Sequence, residues 1–232
     1  MNIVSKDTAI LITSYTGGND PEHHSCGDFS VVQKKRRMLR TLVKHLKETG
    51  YYICLSSHSI LDEETQSYCH SSIYDSDNCW QIDGVPTRPN YGVAEMTAIH
   101  NGLNILSRYG FKNVLKLCYD QQPNLDFPKL IKKFESINQK LITLQDDFGI
   151  GTLCFFGDVQ FVRDTLSMNE IHRFDALPVQ ALERVWLNSI RDKGLIHQLH
   201  GYSTYDEMLE LPPNSVHHFS SMDGNKLYDY NY

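Results

Sequence analysis

Residues 8–16 read TAILITSYT, a short apolar run that empties into small polar side chains. Continuous rather than alternating hydrophobicity over strand length marks a strand buried on both faces, as in a parallel sheet. The Gly- and His-rich stretch GGNDPEHHSCGDFS that follows is too polar for a regular element. Ser30 is placed to cap the next segment, in which Val32, Leu39, Leu42, Val43 and Leu46 share one helical face and Gly50 ends the run. Residues 51–57 (YYICLSS) repeat the first pattern and again stop at polar residues, Ser57 and His58.

The same alternation continues along the chain. A short helix is expected over 62–68 and a short strand near Ile73. Over 92–108, Met96, Ile99, Leu103 and Leu106 recur at helical spacing before Gly110. A third strand, NVLKLCYD, occupies 113–120, and a helix with Leu130, Phe134 and Ile137 on its buried face occupies 127–138. Strands are expected at 140–144 and 152–156, on either side of the DDFGIG turn. Pro178 opens a helix that Gly194 closes, and 195–200 (LIHQLH) reads as a further strand. This order predicts an α/β fold: a mostly parallel central sheet flanked by helices, as one domain over 1–232. In such sheets ligands bind beyond the C-terminal strand ends, at a topological switch point. Ser14 and Tyr15, Ser57 and His58, and Asp120 should gather there.

Composition narrows the field. With 232 residues, 41% apolar and 22% charged, the chain can bury a sizeable core. No apolar stretch approaches the roughly 18 residues of a membrane span, and MNIVSKD lacks a signal-peptide core. The net charge of -6 argues against a free nucleic-acid binder. Six scattered cysteines without a C-x-x-C pair suit reduced thiols and a cytoplasmic setting. Phosphate-binding glycine motifs, the G-x-S-x-G elbow, and the zincin and deaminase zinc motifs do not occur.

Each candidate residue has a bland reading beside the functional one. Asp120 is a carboxylate placed for a ribose hydroxyl or a cation, or a turn residue before Pro123. His217 and His218 are a surface pair or, for one of them, a ligand; Lys226 is a solvated lysine or a point charge for a diphosphate. Asp75, Asp77 and Asn78 form a polar knot that also reads as an Asx turn, as does Asp146-Asp147. KKRRMLR is the solvated face of an amphipathic helix before it is a nucleic-acid patch. Asp158 ends the apolar strand TLCFFGD, at an edge where chemistry can happen.

In order, AILITSY, the basic helix, ICLSSHS, SSIYDSDNCW, GVAEMTAIHNGLNILSRYGF, NVLKLCYD and GTLCFFGDVQFVRD resemble the nucleotide-sugar-dependent glycosyltransferases of the A-type fold. The similarity is to the small, family-2-like glycosyltransferases of large viruses and phages, over about residues 8–190. The resemblance implies a nucleotide-binding half over about 1–120, then an acceptor-side half and closing tail over about 121–232. It implies that Ser14 and Tyr15 line the base, Ser57 and His58 flank the nucleoside, Asp75 lies near base or ribose, and Asn101 faces ribose or sugar. It implies Asp120 as the carboxylate that meets ribose and a divalent cation (Mn or Mg), and Asp158 as the catalytic base. His218 becomes a metal ligand and Lys226 a diphosphate contact in the tail VHHFSSMDGNKLY.

The implied partner is a nucleotide-sugar donor, UDP-linked by preference, with a glycan, protein or modified nucleic acid as acceptor and host cytoplasm as the setting of a viral chain. One position departs from the family: Gln121 and Gln122 follow Asp120 where a second acidic residue is expected. A non-catalytic sugar-nucleotide-binding module therefore stands as an alternative, and a nucleotidyltransferase, whose sheet topology is similar, as a weaker one.

Overall fold

The structure, a computed structural model, describes residues 4–14, 29–75, 81–82, 85–86, 91–121, 125–146, 149–166 and 181–211. In chain order the strands are β1 (Thr8–Ser14), β2 (Tyr52–Ser57), β3 (Ser71–Tyr74), β4 (Gln81–Ile82), β5 (Val85–Pro86), β6 (Asn113–Cys118), β7 (Leu141–Gln145), β8 (Ile150–Asp158) and β9 (Leu199–Tyr202). The helices are α1 (Phe29–Glu48), α2 (Glu63–Tyr68), α3 (Tyr91–Arg108), α4 (Phe127–Glu135), α5 (Val159–Thr165), α6 (Ala181–Asp192) and α7 (Tyr205–Leu209).

Among the described residues, seven strands form one sheet in the order β3-β2-β1-β6-β8-β7-β9, and β4 pairs with β5 as a separate small ribbon. Neighbouring strands from β3 to β6 are parallel; β8 alone runs the other way, antiparallel to both β6 and β7. The fold is thus the mostly parallel α/β sheet expected from the strand and helix periods. The chain runs outward from β1 through β2 to β3, then returns to place β6 on the other side of β1. The seam between β1 and β6 is therefore the topological switch point.

Every residue of β1 and β2 is buried, because helices cover both faces. Ala9, Leu11, Cys54, Val114 and Phe155 pack on one side with α3, α5 and α6. Ile10, Ile12, Leu55, Leu115 and Phe156 pack on the other with α1, α4 and α7. Among the described residues Trp186 is the largest fully buried side chain: its ring meets Phe155 edge-on at 5.2 Å, and its Nε1 donates to Thr165 Oγ1 at 3.0 Å. Burying a side chain of this kind contributes roughly 1.5–3 kcal/mol or more.

Several local expectations are corrected. Ser30 lies inside α1, which starts at Phe29, so it is not the N-cap. Helix α4 stops at Glu135, where Ser136 caps it, short of residue 138. Segment 195–200 is not one strand: Gly194, at φ 68°, ends the run after α6, a 3-10 turn covers Ile196–Gln198, and β9 begins only at Leu199. That turn leaves Ile196 43% exposed, so its hydrophobicity marks no strand face. Helices α5 and α7 were not expected. Each has a capping side chain: Asp158 accepts from Phe161 N at 2.8 Å, and Thr204 accepts from Glu207 N at 3.2 Å. The basic face of α1 is committed partly to the protein itself, since Arg40 pairs with Asp62 at 3.2 Å and Glu64 at 2.8 Å.

Candidate functional site

The C-terminal ends of β1, β2, β3 and β6 form one polar edge. Backbone bonds stitch it together beyond the strands themselves: His58 N donates to Ser14 O at 3.0 Å, Asp75 N to Ser57 O at 2.9 Å, and Tyr119 N to Thr13 O at 3.1 Å. Each polar residue following a strand is thus fixed to the end of its neighbour. Ser14, Ser57, His58 and Asp120 lie along this edge, as the strand pattern anticipates, and Asp75 joins them just beyond β3.

Their environments differ. Ser57 Oγ is turned back onto its own loop, donating to Ser59 O at 2.8 Å. Ser14 Oγ is buried and has no hydrogen-bond partner among the described residues. Buried hydroxyls are normally paired, and those of Ser56 and Ser71 on the neighbouring strands share this state. Asp120 is 4% exposed, on the turn two residues beyond β6.

His58 is 4% exposed and acts as a tie. Its Nδ1 lies 2.9 Å from the Asp75 carbonyl and its Nε2 2.8 Å from the Ala94 carbonyl. Both partners are acceptors, so the ring donates to both only as an imidazolium. It joins the end of β3 to the first turns of α3. A second tie runs from the same helix, where Asn101 Nδ2 donates to Asp75 Oδ2 at 2.8 Å. Asp75, His58 and Asn101 are therefore brought together.

Asp158 is not brought together with them. Because β8 is antiparallel, its last residue pairs with Asn113, the first residue of β6, at the opposite edge of the sheet. There it caps α5 and receives Lys140 Nζ at 2.8 Å. It borders an open polar cleft of about 590 Å³ lined by Glu135, Lys140 and His197, far from the switch point. The structure therefore sets Asp158 apart from the strand ends at the switch point. Tyr15, His218 and Lys226 lie outside the described residues.

Sequence reasoning missed a charged cluster beneath the switch point. Lys116, in mid-β6, has no exposed side-chain surface. Its ammonium donates to Glu95 Oε1 on α3, to Thr152 O at 2.6 Å, and to Cys118 Sγ at 3.2 Å. Glu95 Oε1 also accepts from Thr13 Oγ1 at 3.1 Å. Burial alone would push Lys116 toward its neutral form; the neighbouring Cys118 sulfur and Glu95 carboxylate reverse this and raise its pKa. Burial likewise holds the Cys118 thiol far above its ordinary range, against the pull of Lys116. A signal was present in the sequence, since NVLKLC carries a lysine in the middle of a strand otherwise fit for burial.

Glu183, in the first turn of α6, stands on the far side of Thr152, whose hydroxyl donates to its Oε1 at 3.1 Å. Burial pushes its carboxyl above the ordinary glutamate value. Gly149 lets the helix sit this close: a Cβ there would fall 2.7 Å from the backbone carbon of Glu183.

No known family model matches the chain, and no curated protein matches it in sequence. Among solved structures, it is similar to a chain of Desulfovibrio desulfuricans G20 described as a nucleotide-diphospho-sugar transferase. The TM-score is 0.50 at 10% identity, over 86% of this chain and 80% of that one. A glycosyltransferase involved in glycosylation of the major capsid of PBCV-1 aligns with TM-score 0.48 and 12% identity, over 88% and 90% of the two chains. A cytidylyltransferase of Leptospira borgpetersenii aligns with TM-score 0.45 and 11% identity, over 86% and 76%. At these identities the likeness is one of fold, and the fold is the Rossmann-like sheet of the first of them.

Proposed function

We propose that this chain is a nucleotide-sugar-dependent glycosyltransferase whose donor lies across the C-terminal ends of β1, β2, β3 and β6. The observation that carries this reading is the switch point between β1 and β6. There a buried carboxylate, Asp120, just beyond the end of β6, and a buried hydroxyl, Ser14 at the end of β1, without a partner among the described residues, stand at the place where open α/β sheets bind ligands. Asp120 would accept from ribose hydroxyls, and Ser14 with Tyr15 would line the base. Asp75 and Asn101, already bonded to each other, would border the nucleoside, with His58 holding their elements in place rather than touching it. In transfer, an acceptor hydroxyl oxygen bonds to the anomeric carbon as the bond to the leaving diphosphate breaks, and the hydroxyl's proton is released to solvent or to the departing diphosphate. Lys226 is the proposed cation for that diphosphate. A UDP-sugar is the favoured donor.

We assign no resident divalent cation to the described residues. No group of three or more His, Cys, Asp or Glu among them could hold one, and Asp120 is followed by Gln121 and Gln122. We route no step through a metal, and His218 as a ligand rests on the resemblance alone. The same Asp-Gln-Gln supports a second reading, a sugar-nucleotide-binding module without turnover.

The test is a thermal-shift panel of UDP, UDP-glucose, GDP, GDP-mannose and CDP, with and without manganese, on the wild type and Asp120→Ala. A ligand at a hundredfold excess over its Kd stabilises the folded chain by about 2.7 kcal/mol. We expect UDP or UDP-glucose to raise the melting temperature of the wild type and to leave that of Asp120→Ala unmoved. No shift with any of the five rejects the reading. A shift without sugar release or transfer selects the binding module.

A further inference from the structure

We infer that Glu95 supplies the second carboxylate of this crevice, accepting hydroxyl hydrogen bonds from the bound sugar nucleotide, and that Lys116 is its positioning residue. The inference rests on the donor site proposed above and deepens it.

The geometry separates the two oxygens of Glu95. Oε1 is saturated from below by the Lys116 ammonium and the Thr13 hydroxyl. Oε2 takes no bond among the described residues, and the side chain keeps 24% of its surface exposed while Lys116 has none. The pair sits under the seam of the switch point, because Thr13 and Cys118 are register partners across β1 and β6. Asp120 lies two residues beyond Cys118, on the turn that leaves β6, and both Glu95 and Asp120 act on the Cys118 thiol through their charge. A carboxylate fixed at one oxygen and open at the other, beside a second carboxylate, is suited to a pair of neighbouring hydroxyl groups. Such a group accepts and cannot donate, and hydroxyls are the donors of ribose and of a hexose.

Stability alone does not account for this arrangement. All three ammonium protons of Lys116 are taken by Glu95, Thr152 and Cys118, so the lysine does not reach a ligand. A buried ion pair of this kind contributes little to stability compared with apolar residues of the same shape. What it does provide is a carboxylate held in one orientation at the mouth of the site. It also explains how the crevice manages with Gln121 and Gln122 after Asp120: the missing acid comes from α3 instead of from the strand end.

The test is a set of four proteins: wild type, Glu95→Gln, Lys116→Met and the double variant Glu95→Gln/Lys116→Met. Each is titrated calorimetrically with UDP and UDP-glucose after its melting curve is recorded. The double variant matters most, because it removes both charges and leaves no unpaired ion to unfold the strand. If Glu95 only neutralises Lys116, the double variant binds as the wild type does. If Glu95 touches the ligand, the double variant melts cooperatively yet binds at least tenfold more weakly, as does Glu95→Gln. Equal weakening for UDP and UDP-glucose assigns the hydroxyls to ribose; weakening for UDP-glucose alone assigns them to the transferred sugar. Binding within twofold of wild type by the folded double variant overturns the inference and leaves the donor site standing. A wild type that binds neither compound overturns both.

Discussion

At the scale of single residues, burial and charge decide which side chains are chemically available. Cys54 and Cys154 have their thiols pushed up to about 11 and about 12 by burial, so they belong to the core and not to the chemistry. Glu183 is the contrasting case, a carboxyl that burial raises while it stays bonded to Thr152. A raised value means that the folded chain holds this proton more tightly than the unfolded one. Glu183 therefore stabilises the fold below the ordinary glutamate range, and that contribution is lost as pH rises through its folded value. Glu183→Gln keeps the acceptor for Thr152 and removes the titration. The melting temperature of this variant should gain on that of the wild type as pH is raised from about 4 to about 7.5. Parallel melting curves for the two proteins across that range would show that Glu183 does not titrate differently on folding.

At the scale of elements, a strand's direction matters as much as its existence. The apolar run before Asp158 is as clear a strand as β1, yet it ends at the other edge of the sheet because the turn at Asp146 makes it antiparallel. Gly149 N donates to Asp146 Oδ1 at 2.9 Å there, a local side-chain bond of the Asx kind read for Asp146-Asp147. Asp158 then serves α5 as its N-cap. Asp158→Ala should cost about 1 kcal/mol, the ordinary worth of a cap. Nucleotide affinity should stay within twofold, measured on the same thermal-shift panel. A variant with unchanged stability but lost binding would restore Asp158 to the site.

At the scale of the whole molecule, the described sheet and both of its helical layers are complete by Leu211. No helix among the described residues is long and apolar enough to cross a membrane. The tail that carries His218 and Lys226 is proposed to act on the donor and not to hold the sheet. Truncation after Pro213 should lower the melting temperature by less than about 4 °C, the shift that ~1 kcal/mol produces in a chain of this size. Sugar transfer should be lost, and Lys226→Ala should lower kcat more than it raises the donor KM, because the diphosphate gains charge as the donor bond breaks. Transfer at the full-length rate by the truncated chain would remove the tail from the mechanism.

Strand and helix positions along TAILITSYT, YYICLSS and NVLKLCYD were legible in the sequence, because periodicity and apolar run length are set by neighbouring residues and by burial on both faces. The same runs located Ser14, Ser57 and Asp120 at strand ends; Asp75 and Asn101 came from the resemblance, and the structure bonds these two to each other. Three things were not legible there. Which strand of the β7–β8 hairpin lies against β6 depends on a pairing between distant segments, and it places Asp158 at the edge opposite the switch point. The meeting of His58 with the backbone of Asp75 and Ala94 depends on how α3 lies across the strand ends. The pairing of Lys116 with Glu95, 21 residues earlier in the chain, depends on the same placement. A lysine in an apolar strand announces that a countercharge must exist, since an unpaired buried charge is too costly to keep. Only the packing of α3 against β1 and β6 decides which carboxylate answers it.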